Sequence, residues 1–144
     1  MGKPTGELAM ALNILVVDDS SVMRAIIIKT LHLSQLPVGE VHQASNGQEA
    51  LKVLDGKWID LALVDINMPV MDGEEMINRL KQNPATSDLP IIIVSTEGSE
   101  SRKEVLKQKG ARFVHKPFTP ETLRDAILRT LGGLDEQKAG NGTI

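Results

Sequence analysis

Two short runs, Leu61–Val64 (LALV) and Ile91–Val94 (IIIV), constrain this chain more than anything else in it. Successive side chains on a strand point to opposite faces, so a strand apolar at consecutive positions must be covered on both. Ile14–Val17 (ILVV) has the same character, and segments with apolar residues at helical spacing lie between these runs. Aliphatic strands alternating with amphipathic helices build a parallel sheet with helices on both faces.

The chain divides into five strand–helix units without an internal repeat or a low-complexity tract. Asn13–Asp18 leads into a helix from about Ser21 to Leu33. Glu40–Ala44 is followed by Asn46-Gly-Gln-Glu49, which has the form of a capping box, and by a helix with Ala50, Leu51 and Leu54 on one face. Ile59–Asp65 leads to Asp72, which opens a helix with Met76, Ile77 and Leu80 turned inward. Ile91–Ser95 precedes a fourth helix bracketed by Gly98 and Gly110, whose thin apolar face rests on Val105 and Leu106. Ala111–His115 is the last strand. Thr119-Pro120 then supplies an N-cap and a proline at the first helical position, and the final helix shows Leu123, Ile127 and Leu131 before Gly132-Gly133 stops it.

At 144 residues, with 41% hydrophobic and 24% charged, the expectation is one domain over residues 13–132. Residues 1–12 and 133–144 read as flexible extensions. Aromatics are only 2%, so the core is aliphatic. The absence of cysteine excludes a disulfide framework, a thiolate metal site and a cysteine nucleophile. No apolar run spans a bilayer and the N-terminus lacks a signal-peptide pattern, which points to a cytoplasmic protein without membrane insertion. The net charge of -3 argues against nucleic acid as the main partner. Residues 99–131 nevertheless carry 8 Lys/Arg against 4 Asp/Glu, where the rest carries 8 against 15. That excess is either a solvated helical surface or a face that meets an acidic partner.

Right-handed crossovers bring every strand's C-terminal end to one edge, where open α/β sheets build their sites. Asp18, Asp19, Asp65, Ser95 and Lys116 all lie at or just past strand ends, so they converge. Three carboxylates together call for a cation, and hard oxygen donors without His or Cys favour Mg²⁺. Helix capping alone would account for Asp18 and Asp19 less well, since two adjacent acids exceed what a cap needs. Asp65 can attack a phosphorus centre if a metal and a lysine neutralise the phosphoryl oxygens. Lys116 offers that charge and Ser95 a hydroxyl donor.

These residues sit in four motifs, VVDDSSVMR, LVDINMPVMDG, IIIVSTEGS and VHKPFTPETL, in one frame from about Asn13 to Gly132. In them the chain resembles a bacterial response-regulator receiver domain of the CheY type. The resemblance implies a flavodoxin-like, doubly wound five-stranded sheet in the order 2-1-3-4-5. It implies a single-domain response regulator of a two-component phosphorelay, phosphorylated on Asp65 by a sensor histidine kinase. Asp19 would ligate Mg²⁺ directly and Asp18 through water, with Asp65 and the backbone carbonyl of Asn67 completing the protein ligands. Lys116 would pair with the phosphoryl group, and its bond to Pro117 would be cis. Ser95 would swing toward the phosphoryl oxygens and Phe113 would turn inward behind it. Chemotaxis members often carry Tyr there, so a tyrosine hydroxyl is no part of this switch. Asn67 and Glu97 occupy the positions that tune the phosphoryl lifetime. The output would pass, in a monomer, through the face formed by helix 4, strand 5 and helix 5. A flagellar motor switch is the leading target.

Other readings fare worse. A phosphatase of the haloacid-dehalogenase kind needs an acid two residues after the nucleophile, and Asn67 stands there. A calcium loop is broken by Pro69, and a nucleotide-binding protein would need a glycine-rich loop in place of Asp18-Asp19-Ser20-Ser21. The residues after Gly132 are too few for a DNA-reading module. An unphosphorylated adaptor would not need the complete acid–Ser–Lys set. A relay receiver outside chemotaxis is the runner-up.

Overall fold

The computed structural model describes residues 11–66, 71–96 and 100–132. Its strands are β1 (Leu12–Val17), β2 (Val38–Ala44), β3 (Leu61–Val64), β4 (Ile91–Ser95) and β5 (Arg112–His115). They alternate with helices α1 (Ser21–Leu33), α2 (Gly47–Gly56), α3 (Gly73–Gln82), α4 (Glu100–Gln108) and α5 (Pro120–Leu131). All the strand pairs are parallel, in the order β2-β1-β3-β4-β5.

The alternation of side chains along the strands separates two cores. Leu15, Val17, Ala62, Val64, Ile91 and Ile93 meet Met76, Ile77, Leu80 and Leu106 on the α2–α4 side. Ile14, Val16, Leu61, Leu63, Ile92 and Val94 meet Ile27, Leu31, Leu123 and Ile127 on the α1–α5 side. This is why the central strands read as uninterrupted aliphatic runs. α1 and β4 match the expected bounds residue for residue. β1 begins and ends one residue earlier than expected, β2 begins two earlier, β3 begins two later and ends one earlier, and β5 begins one later.

The caps explain where the helices start. Asp72 and Thr119 each accept from the amide three residues on, and Thr119 forms a reciprocal box with Thr122. The box expected at Asn46 is altered. Asn46 accepts from the Glu49 amide, but Glu49 reaches back one residue further, to the Ser45 amide at 2.9 Å. Two apolar assignments are corrected. Val105 is 42% exposed, leaving Leu106 as the buried residue of α4, because Val105 falls off the narrow inward stripe. Leu131, the last residue of α5, is 36% exposed, whereas Leu123 and Ile127 earlier in the helix are buried.

Candidate functional site

Register places the site. Val17 pairs with Val64, so Asp18 and Asp65 follow side by side, and the Asp65 amide donates to the Val17 carbonyl at 2.9 Å. Ser95 pairs with His115, so Lys116 comes just past it, its amide donating to the Ser95 carbonyl at 3.0 Å. The five residues expected to converge therefore share one sheet edge. One carboxylate oxygen from each of Asp18, Asp19 and Asp65 lies within 4.8 Å of the others. The Lys116 ammonium stands 3.3 Å from Asp18 Oδ2, with side chains 15% and 2% exposed. A buried carboxylate needs such a partner, since ionised oxygen out of water is costly. Asp18 also accepts from the Ser20 amide through Oδ1 at 2.9 Å. Ser20, rather than either aspartate, caps α1, accepting from the Met23 amide at 3.1 Å. That frees Asp18 and Asp19 from a capping role.

The donor set is all oxygen. Three carboxylates against one lysine leave an excess of negative charge that suits a small hard dication. The Lys116–Pro117 bond is cis, as expected. Ser95 is buried at the end of β4, and Phe113 is half-buried, packed against the α2–α4 core. Asn67 and Glu97 lie outside the described residues.

Two contributors carry no functional signal of their own in the sequence. Arg24 donates through Nη1 to the Asp18 carbonyl at 2.6 Å and through Nε to Gln43 Oε1 at 2.8 Å, tying α1 and β2 to the end of β1. Gly73 donates to the Ile66 carbonyl at 3.0 Å, and its bare Cα lets α3 approach the backbone that carries Asp65. The spacing of Gly73 from Asp65 was visible in the LVDINMPVMDG motif, but the close approach was not.

A five-stranded doubly wound sheet with three acids and a lysine at its C-terminal edge defines a receiver-type α/β protein. The description "Response regulator receiver domain" matches residues 14–128, and the chain belongs to that family. Chemotaxis protein CheY1 of Helicobacter pylori is 36% identical over 126 residues, 86% of this chain and 100% of that one. A Campylobacter jejuni chemotaxis protein CheY homolog is 36% identical over 123 residues, 84% of this chain and 93% of the other. Among solved structures, the chemotaxis response regulator CheY4 of Vibrio cholerae superposes with a TM-score of 0.75 at 34% identity, covering 84% of this chain and 99% of that one.

Proposed function

We infer that this protein is a response regulator of chemotaxis that receives a phosphoryl group on Asp65 and signals by phosphorylation-dependent protein binding. The observation that carries the reading is the joint position of Asp65, Asp18, Asp19 and Lys116, three carboxylates within 4.8 Å and a lysine 3.3 Å from one of them. The receiver unit spans residues 13–132, with an extension on either side.

Asp65 attacks the phosphorus of a phosphohistidine on a sensor kinase, a P–O bond forms as the P–N bond breaks, and the imidazole leaves with a solvent proton. Asp18, Asp19, Asp65 and the carbonyl of Asn67 are the residues that would hold Mg²⁺. When bound, that ion supplies charge neutralisation for the phosphoryl oxygens. Lys116 is the second source of positive charge and exchanges Asp18 for a phosphoryl oxygen. Ser95 donates its hydroxyl to another, and Phe113 turns inward as Ser95 moves. Asn67 and Glu97 set how long the aspartyl phosphate lasts. Such a protein accepts one group and loses it by hydrolysis, so it signals rather than turning over a substrate.

The output face is α4, β5 and α5, where the chain's excess of Lys and Arg is concentrated. The likeness to CheY proteins over nearly their whole length favours chemotaxis over a relay outside it, and a flagellar motor switch as the target of a cytoplasmic monomer. No helix among the described residues is long and apolar enough to cross a membrane. Intact-mass spectrometry after acetyl phosphate and Mg²⁺ tests the central claim. The wild type gains one phosphoryl group and Asp65→Asn gains none; an equal gain in both would defeat it.

A further inference from the structure

Lys103 on α4 forms part of the wall of an open cavity of about 630 Å³ beside β5, together with Lys107, Arg112, Phe113 and His115. Its ammonium stands over the Phe113 ring, 5.7 Å from the centroid, within the range at which an aromatic face holds a cation. The Lys103 side chain is only 12% exposed, although Glu100, its carboxylate partner at 3.4 Å, is 86% exposed. An exposed pair three residues apart on a helix contributes little. Lys103 is instead covered within the cavity wall that it forms with residues of β5, with the Phe113 ring facing its ammonium. The His115 ring stands on the same aromatic, tilted with centroids 6.0 Å apart. Phe113 itself pairs with Ile93, two positions before the Ser95–His115 pair at the phosphorylation edge.

We propose that Lys103 is a positioning residue for Phe113, holding the ring in its resting place and opposing its inward turn. The proposal rests on the reading of Phe113 as the moving aromatic. A ring that turns inward takes its face away from the ammonium, so the contact exists only in the resting state and biases the chain toward it. A contact made in one of two states shifts their ratio by its own strength, and a cation–aromatic contact of this kind corresponds to about 2- to 5-fold in population. Lys103→Met keeps the length and apolar character of the stem and removes the charge. Lys103→Arg keeps both.

Fluorine NMR of protein labelled with 4-fluorophenylalanine reads the ring directly. The chain has two phenylalanines, and Phe118→Leu assigns the Phe113 signal. Beryllofluoride with Mg²⁺ serves as the phosphoryl mimic and marks the inward position. In Lys103→Met without the mimic, the Phe113 signal moves toward the mimic-bound position, as the inward fraction rises about 2- to 5-fold. Lys103→Arg stays with the wild type, and Lys103→Gln shifts in the same direction as the methionine variant. A role in helix stability alone would change melting without moving the ring, and arginine would have nothing to rescue. A Lys103→Met spectrum that superimposes on the wild type, while the wild type responds to the mimic, overturns the role of Lys103 and leaves Phe113 as the switch. A wild-type ring that ignores the mimic overturns both.

Discussion

Replacing Gly73 with alanine tests how tightly Asp65, the proposed phosphoryl acceptor, is packed. A Cβ at Gly73 would lie 2.9 Å from the Asp65 carbonyl oxygen, 2.9 Å from Ile66 Cα and 3.3 Å from Val64 Cγ1. The first two are backbone atoms, so no side-chain rotation relieves the clash; α3 or the end of β3 must move. Overpacking of this kind costs about 1–3 kcal/mol. Removing a glycine from a helix returns at most about 0.5–1 kcal/mol at this first helical position, which leaves a net loss of about 0–2.5 kcal/mol. A mid-range loss of about 1.3 kcal/mol with a urea slope of about 2 kcal/mol per molar lowers the midpoint by about 0.6 M and leaves the slope unchanged. The displacement also reaches the nucleophile. An error of tenths of an ångström in a reacting group costs rate, so acceptance from acetyl phosphate slows by about tenfold under conditions where the variant is fully folded. Urea unfolding by circular dichroism and timed intact-mass spectrometry measure the two effects. A Gly73→Ala protein with the wild-type midpoint and the wild-type rate would refute the argument from close approach.

Two further expectations concern charge. Asp19→Asn removes one of the three clustered carboxylates, so the gain in melting temperature on adding Mg²⁺ shrinks relative to wild type, while the metal-free protein melts no lower. Glu49 is held below the usual carboxylate range, chiefly because it accepts from the Ser45 backbone amide and then from the Ser45 side chain. A depressed folded value means stability that is present above the unfolded value and lost as pH falls through the folded one. The advantage of wild type over Glu49→Gln in urea midpoint should therefore close on acidification, and a gap that stays constant from neutral to acid pH would contradict this.

The fold was legible because the strands are buried on both faces. A run such as Ile91–Val94 has few homes other than the middle of a parallel sheet, and β4 follows its written boundaries. The site was legible for a related reason: strand ends in a parallel sheet converge, so Asp18, Asp65, Ser95 and Lys116 could be placed together from order alone. What escaped depended on tertiary contact. Lys103 looks like one more charge on a polar helix, and only its seat over Phe113 gives it meaning. Val105 and Leu106 are equivalent in composition, yet one helical step of about 100° decides which is buried. Arg24 lay inside a quoted motif, but its bond to the Asp18 carbonyl depends on where α1 turns back over β1. Glu49 satisfied the capping pattern and chose the neighbouring amide, a difference of one residue that spacing does not resolve.

The pairing of Val17 with Val64 has a consequence for how this protein can fail. A slip of one residue between β1 and β3 would set Asp18 and Asp65 about 3.3 Å out of step and exchange which side chains of the slipped strand meet each core, although both faces of both strands are aliphatic. The error thus dismantles the acid cluster while still offering aliphatic side chains to both layers. The alignment of two central strands therefore sets whether the acid cluster can form at all.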